Sequence, residues 1–513
     1  MKIMKAKAIA TAPALMEISN PILLHRGRLA LMMLLIISLC LVSRIPPAGA
    51  VQQLEDADIR MTVEKDLLQD PVVRARRITV ETDRGVVTLS GTVANLLARD
   101  RAMAAARRVK GVRAVIDRLN VRASMRSDPD LRTDIKNALR SDYVTEAYEI
   151  AVDVDSGEAT LTGVVDSWAE KQAAADIAKK IRGLQEVHNN ITVSSRFERT
   201  DAEVKHDVQH RLEADVYVDE RLIDVAVEDG DVLLSGIVGS MQEKWQARLD
   251  AYVAGAESVN VRALEVKWWA MDDADVKKAA YVPKTDAEIK KAVENALEVD
   301  PRTQAFKIDT RVRNGVVTFT GIVDNLAAKQ AAEADARSTQ GVRWVKNYLK
   351  VRVQEPPVES EIHQRIQNAI QRDVLLSPRE INIFVIDQTA YLYGNVDDRY
   401  IKQHAEEVVA RTPGVVAVSN NLMVDGSWDW RSDAEIKEDV QSELYWSPYV
   451  DSEDINVSVI DGEVLLKGVA TDWFEAESAV DNAFQGGARS VKARLELASG
   501  YEYRGYYEES DRR

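Results

Sequence analysis

Six segments of this 513-residue chain close in the same way, an apolar strand ending on glycine: VVTLSG at Gly91, EATLTG at Gly163, DVLLSG at Gly236, VVTFTG at Gly321, TAYLYG at Gly394 and EVLLKG at Gly468. The spacings are 72, 73, 85, 73 and 74 residues. A second glycine follows 19 or 20 residues later, at Gly111, Gly183, Gly255, Gly341, Gly414 and Gly487. After it comes an apolar string such as VRAVIDRLNV (112–121) or VRWVKNYLKV (342–351). A period kept over six copies makes each copy one supersecondary unit, so the chain is a tandem array rather than one large domain.

Each unit reads as α-β-β-α-β. DAEIKKAVENAL (286–297) opens one unit with a helical period, Ile289, Val293 and Leu297 forming one apolar stripe. Its leading Asp is expected to cap the helix N-terminus. Two alternating strands follow, joined by pairs such as Asp229-Gly230, Asn314-Gly315 and Asp461-Gly462, which favour tight hairpin turns. An Ala-rich helix comes next, as in AMAAARRV (102–109). The second glycine is expected to end that helix as a left-handed cap, and a third strand closes the unit. Small alanines let the helix approach the sheet, and the first glycine is expected to make room for that approach or for a bulge. The fold class is therefore α+β, with six small two-layer domains, each a three-stranded sheet carrying two helices on one face. The boundaries are 55–123, 128–195, 200–267, 285–353, 358–425 and 432–498, with a linker at 268–284. Units near 70 residues are marginal alone, so neighbouring units are expected to pack on each other. Trp268, Trp269, Trp428 and Trp430 fall in the joints. The tail 499–513, YEYRGYYEESDRR from residue 501, is polar and aromatic and is expected to fray.

This unit resembles the BON domain, through its α-β-β-α-β order, its TLSG-like strand end and its G-V-x-x-V-x-N-x-L-x-V closing string. The string is clearest at Val345-Lys346-Asn347-Tyr348-Leu349-Lys350-Val351. Repeats three and six shorten the interval between the glycines by one, and repeat six lacks the Asn, reading SVKARLEL. The resemblance covers about residues 55–498. It implies a non-catalytic module of the cell envelope that binds phospholipid membranes or envelope partners and responds to osmotic stress.

The first 50 residues read as a targeting segment. Lys2, Lys5, Lys7, Arg26 and Arg28 precede a 14-residue apolar run from 29 to 42, followed by Pro46, Pro47 and Ala48-Gly49-Ala50. That order describes a secretory signal cleaved after Ala50. An uncleaved inner-membrane anchor at 29–42 is the alternative, although the run is short of the roughly 20 residues that span a bilayer. Cleavage removes Cys40, the only cysteine, and leaves a chain suited to an oxidising periplasm.

No sequence element singles out a catalytic residue, a metal site or a cofactor. His206 and His210 stand at i, i+4, but no third ligand accompanies them. Asp153 to Glu158 fails the calcium-loop pattern, which needs Gly at position six, and reads as a hairpin turn. Net charge is −16, which argues against nucleic acid as a partner. The charge is uneven. Residues 55–126 hold 15 Lys and Arg against 10 Asp and Glu, whereas 127–513 sum to −26. Arg99, Arg101, Arg107, Arg108, Lys110 and Arg113 crowd the second helix and third strand of repeat one. They are candidates for contact with anionic phospholipid or, equally, with an acidic sister repeat. The residue opening the second helix is large and apolar at Leu96, Trp168 and Trp473. It is read as an interfacial anchor or as a staple fixing that helix to the core. Two functions stay open: attachment to a phospholipid surface, and a chaperone or scaffold array binding envelope proteins through acidic repeats.

Overall fold

The computed structural model describes residues 54–508, apart from 74, 146–148, 195–198, 269–283, 425–430, 499 and 501. The proposed leader, most of the linker, Trp269, Trp428 and Trp430 lie outside the described residues. Among those described, no helix is long and apolar enough to cross a membrane.

Repeat four illustrates the unit. A first helix, Asp286–Val299, precedes strands Ile308–Arg313 and Val316–Val323; a second helix, Leu326–Arg337, precedes strand Trp344–Val351. The first two strands pair antiparallel and the last two parallel, in spatial order one-two-three. Ile289, Val293 and Leu297 bury against Val317, Phe319 and Val323, with Ala328, Ala332 and Ala336 of the second helix closing the layer. Burying such aliphatic side chains contributes about 1.5–3 kcal/mol each. All six repeats share this three-strand order, and repeat six adds a fourth strand to it.

The signature acid is not the helix cap. Thr200, Thr285 and Ser432 are the caps, each in a reciprocal box with a Glu three residues on. The Asp one position later reaches across the domain to the hairpin turn. Asp286 accepts the N–H groups of Asn314 and Gly315 at 2.8 and 2.9 Å. Asp56, Asp128, Asp201 and Asp433 hold their own turns in the same way. The turn's backbone donors point at the start of the first helix, where a carboxylate satisfies two of them at once.

The glycines also differ from expectation. A side chain at Gly91 would strike the carbonyl oxygen of Arg77, and one at Gly468 that of Asp454. The crowding comes from the backbone entering the first strand, not from the second helix. Gly111 and Gly414 lie beyond the second helix, which ends at Arg108 and Ala410. They take φ +87° and +99° beneath the buried isoleucines Ile59 and Ile362 of the first helix. Only in repeat six does the glycine, Gly487, directly follow a helix cap, Gly486.

The tail does not fray over its first part. Glu502–Glu508 forms a fourth strand, antiparallel to the third strand of repeat six, Ser490–Leu497.

Packing between repeats is not confined to neighbours. The end of the first helix of one repeat meets the end of the second helix of another in a two-residue antiparallel bridge. In the joint of repeats two and five, Arg182 N–H donates to the Arg372 carbonyl and Val374 N–H to that of Lys180, at 2.9 and 2.8 Å. Repeats three and four use Gln340 to Ala214 and Val216 to Ser338, at 2.8 and 3.1 Å. Repeats one and six keep one bond, Lys110 N–H to the Trp446 carbonyl at 3.0 Å. Its counterpart would need a donor at Pro448, which has no N–H. The array therefore folds back on itself in nested order, one with six, two with five and three with four.

Candidate binding surfaces

The second helices carry many of the side-chain contacts between repeats, and this decides the fate of the basic residues of repeat one. Arg99 forks onto Glu186 of repeat two at 2.6 and 2.8 Å, and its side chain is 17% exposed. The Glu186 bond holds the Arg99 guanidinium above its usual pKa and the Glu186 carboxyl below its own. Arg101 bonds Asp70 of its own repeat and lies 3.9 Å from the ring centre of Tyr400 in repeat five. Arg107 stacks on Trp245 of repeat three, 4.4 Å from the ring centre, and burial lowers its pKa. Lys110 faces Trp268 and Tyr445. Arg108 and Arg113 are exposed. The six candidates thus do not form one solvent face.

The three large apolar candidates that open second helices also turn inward. Leu96 is buried. Trp168 packs on Tyr252 of repeat three at 4.1 Å between ring centres, and its indole N–H donates to the Ala256 carbonyl at 3.0 Å. Trp473 meets Tyr503 of the tail strand at 4.8 Å.

A cavity of about 130 Å³ lies at the joint of repeats two and five, beside Lys180, Arg372, Arg411, Asp142 and Asp373. Ligand pockets usually offer some 300 Å³ or more, so it is too small for a lipid headgroup. Its charges are also engaged: Arg411 Nε of repeat five bonds Asp142 of repeat two at 2.7 Å, and within repeat five His404 bonds Asp373 at 2.7 Å. The rings of His206 and His210 touch edge to face at 4.3 Å. Among the described residues no three His, Cys, Asp or Glu converge as a metal site.

With the helices engaged, the outer sheet faces remain, and they differ in character. Repeat two presents Asp153, Asp155 and Glu158, and repeat three Asp224, Glu228 and Asp231. Repeat four is cationic and aromatic. Its register aligns Arg311, Thr318 and Lys346 in one row, Asp309, Thr320 and Tyr348 in the next, and Ile322 beside Lys350. Arg313 and Trp344 flank the same Val316. Trp344 is 52% exposed and Tyr348 62%. Arg311, Arg313, Lys346 and Lys350 are all exposed, with Asp309 the single acid on the face, 3.3 Å from Arg311. Repeat five carries no charge on the corresponding face, where Phe384, Ile386, Tyr393 and Met423 stand exposed.

Sequence reading missed the face of repeat four because summing charge over 127–513 hid it. Repeat four alone, 285–353, holds 12 Lys and Arg against 9 Asp and Glu. The signal was the two-residue spacing in R-V-R (311–313) and W-V-K-N-Y-L-K (344–350), which puts like residues on one side of a strand.

Known proteins place this arrangement in a family. The BON domain model matches residues 55–123, 127–195, 200–267, 285–353, 359–426 and 432–499. Osmotically-inducible protein Y of Escherichia coli is 31% identical over 145 residues, 27% of this chain and 72% of its own length. Outer membrane lipoprotein DolP of Haemophilus influenzae is 33% identical over 147 residues, 28% of this chain and 76% of its own. The solved C-terminal domain of CdsD, a type III secretion structural protein of Chlamydia trachomatis, aligns over 45% of this chain and all of its own. At 13% identity and a TM-score of 0.12, that alignment carries no argument. With six matches that together span nearly all of residues 55–499, the chain belongs to the BON domain family.

Proposed function

We propose that this chain is a non-catalytic binding protein of the cell envelope that docks on anionic phospholipid through the outer sheet face of repeat four. The supporting observation is the exposed set Arg311, Arg313, Lys346 and Lys350 around Trp344 and Tyr348. Cations near an anionic leaflet contribute about 1 kcal/mol each. Tryptophan and tyrosine suit the membrane interface because their rings are apolar and their tips polar. The names of the relatives, one osmotically inducible and one an outer-membrane lipoprotein, support an envelope role tied to osmotic stress. The basic leader followed by Ala48-Gly49-Ala50 supports export to the periplasm with cleavage after Ala50.

The test is flotation of residues 51–513 with neutral and anionic vesicles at low and high salt. Binding is expected on anionic vesicles alone, and it weakens with salt. Lys346→Glu with Lys350→Glu removes it, and Trp344→Ala weakens it. Charge reversal at the exposed Arg108 and Arg113 of repeat one leaves it in place. Loss with the repeat-one variants, and not with those of repeat four, would return the contact to repeat one.

The uncharged aromatic face of repeat five favours a second reading, a scaffold that holds envelope proteins. Absence of flotation together with cross-linking of envelope proteins to that face would select it.

A further inference from the structure

The third strand of each repeat has one edge on its neighbour and one edge open to a further strand. An open edge presents unpaired N–H groups, a template for pairing. In repeat four, Arg352 N–H donates to the Val323 carbonyl at 2.8 Å. The alternation of a parallel ladder then turns the N–H of Leu349 to the open side. That N–H is taken by the Asn347 side chain at 3.2 Å, while Asn347 Nδ2 donates to the Lys329 carbonyl of the second helix at 2.7 Å. The Asn of the closing string is therefore an edge guard. Asp117, Asn189 and Asn420 accept the N–H two residues on, at 2.8, 3.4 and 3.4 Å; in repeat three, where the ladder shifts register between Leu233 and Ser235, Asn260 takes the N–H of Arg262 instead, at 3.0 Å.

Repeat six has Ala493 at this position. Ala498 N–H donates to the Ala470 carbonyl, so Leu495 N–H faces the open edge. Here the strand Glu502–Glu508 is added, with Leu495 opposite Tyr503, Ala493 opposite Gly505 and Val491 opposite Tyr507. The second helix has changed in step, since the Lys329 position is Ala476. The Tyr503 side chain is fully buried in the core of repeat six, with Tyr507 packed beside it. The two hydroxyls meet at 2.7 Å, and a side chain on Gly505 would strike the Tyr507 ring.

We propose that the third-strand edge of repeat six, covered in this structure by residues 502–508, is a strand-accepting site for an extended segment of a partner protein. The segment carries aromatic side chains four residues apart with a glycine midway, and residues 502–508 are its resident occupant. In repeats one, two, four and five a guard takes the donor that Leu495 leaves open, and in repeat three Asn260 takes a donor two residues earlier on the same edge. Backbone pairing along Ser490–Leu497 supplies affinity, and the aromatic slots against Trp473 supply specificity. A tethered occupant acts at roughly millimolar effective concentration, so the wild-type chain admits a competitor only weakly.

The test uses residues 51–513 and a fluorescent peptide of the tail sequence, YEYRGYYEESDRR. Tyr503→Ala with Tyr507→Ala loosens the resident strand, and this variant is expected to bind the peptide at least tenfold more tightly than the wild type. Adding Ala493→Asn restores the guard and returns binding to the wild-type level. A peptide with Ala in place of the tyrosines at positions 503 and 507 does not bind. Circular dichroism establishes that the variants are folded. A folded double variant that ignores the peptide, or binding indifferent to Ala493→Asn, overturns the proposal. Concentration-dependent dimers of the wild type that vanish in the double variant would assign the edge to a second copy, and would also overturn it.

Discussion

Asp286 joins a helix start to a hairpin turn 28 residues on, and the N–H groups of Gly315 and Asn314 hold its carboxyl below the usual carboxylate range. A depressed carboxyl contributes stability above the unfolded value near 3.8, lost as pH falls through the lower folded value. Asp286→Ala is expected to lower the melting temperature by a few degrees at neutral pH, and the difference from the parent shrinks below about pH 3. A difference that stays constant into acid would refute the role. Asp66 has the opposite sign. Burial, then Glu443 across the joint of repeats one and six, pushes its carboxyl up to about 8, against Lys65 and Arg108. The folded chain then binds the proton more tightly, and this group withdraws stability as pH rises from about 4 to 8. Asp66→Asn should gain in melting temperature over the parent as pH climbs from 5 to 8. A gain that does not change with pH would contradict the burial.

The elements were legible in the sequence because their signals are local. A helix stripe such as Ile289, Val293 and Leu297, or a turn pair such as Asn314-Gly315, is written within a dozen residues. The fourth strand was not legible. Its charges and tyrosines look like a solvated tail, and only the partner edge, left open by Ala493, gives Tyr503 somewhere to go. The second helices were legible as core helices but not as the contact side between repeats, since Trp245, Tyr400 and Phe484 find their cations on other repeats. Truncating Leu96, buried where its second helix begins, is expected to cost about 2–5 kcal/mol on denaturant unfolding of Leu96→Ala. Arg411 and Asp142 join repeats five and two with the carboxylate buried. A double-mutant cycle on the pair should return a coupling of about 1.5–3 kcal/mol. A coupling near zero would mean that this contact does not hold the two repeats together.

At the scale of the whole molecule, the order of pairing decides which surfaces are left for partners. Folded back in this order, the array engages Arg99, Arg101 and Arg107 of repeat one on repeats two, five and three, and leaves the cationic sheet face of repeat four outside. No sequence periodicity encodes that pairing. It rests on a few backbone bonds and side chains at helix ends, which find each other across nearly 200 residues at the joint of repeats two and five. Ile181 and Asp373, and likewise Asp215 and Thr339, stand opposite each other in isolated antiparallel bridges. The flanking bonds make Ile181 and Asp373 a non-hydrogen-bonded pair, whose Cα atoms lie about 4.5 Å apart. That spacing admits a disulfide. Residues 51–513 contain no other cysteine to compete. Ile181→Cys with Asp373→Cys, and Asp215→Cys with Thr339→Cys, should each give an intramolecular cross-link on mild oxidation, read by mass spectrometry. The crossed pair, Ile181→Cys with Thr339→Cys, should give none. Cross-links from both matched pairs and none from the crossed pair are the predicted result. Failure of the matched pairs in folded protein would contradict nested pairing.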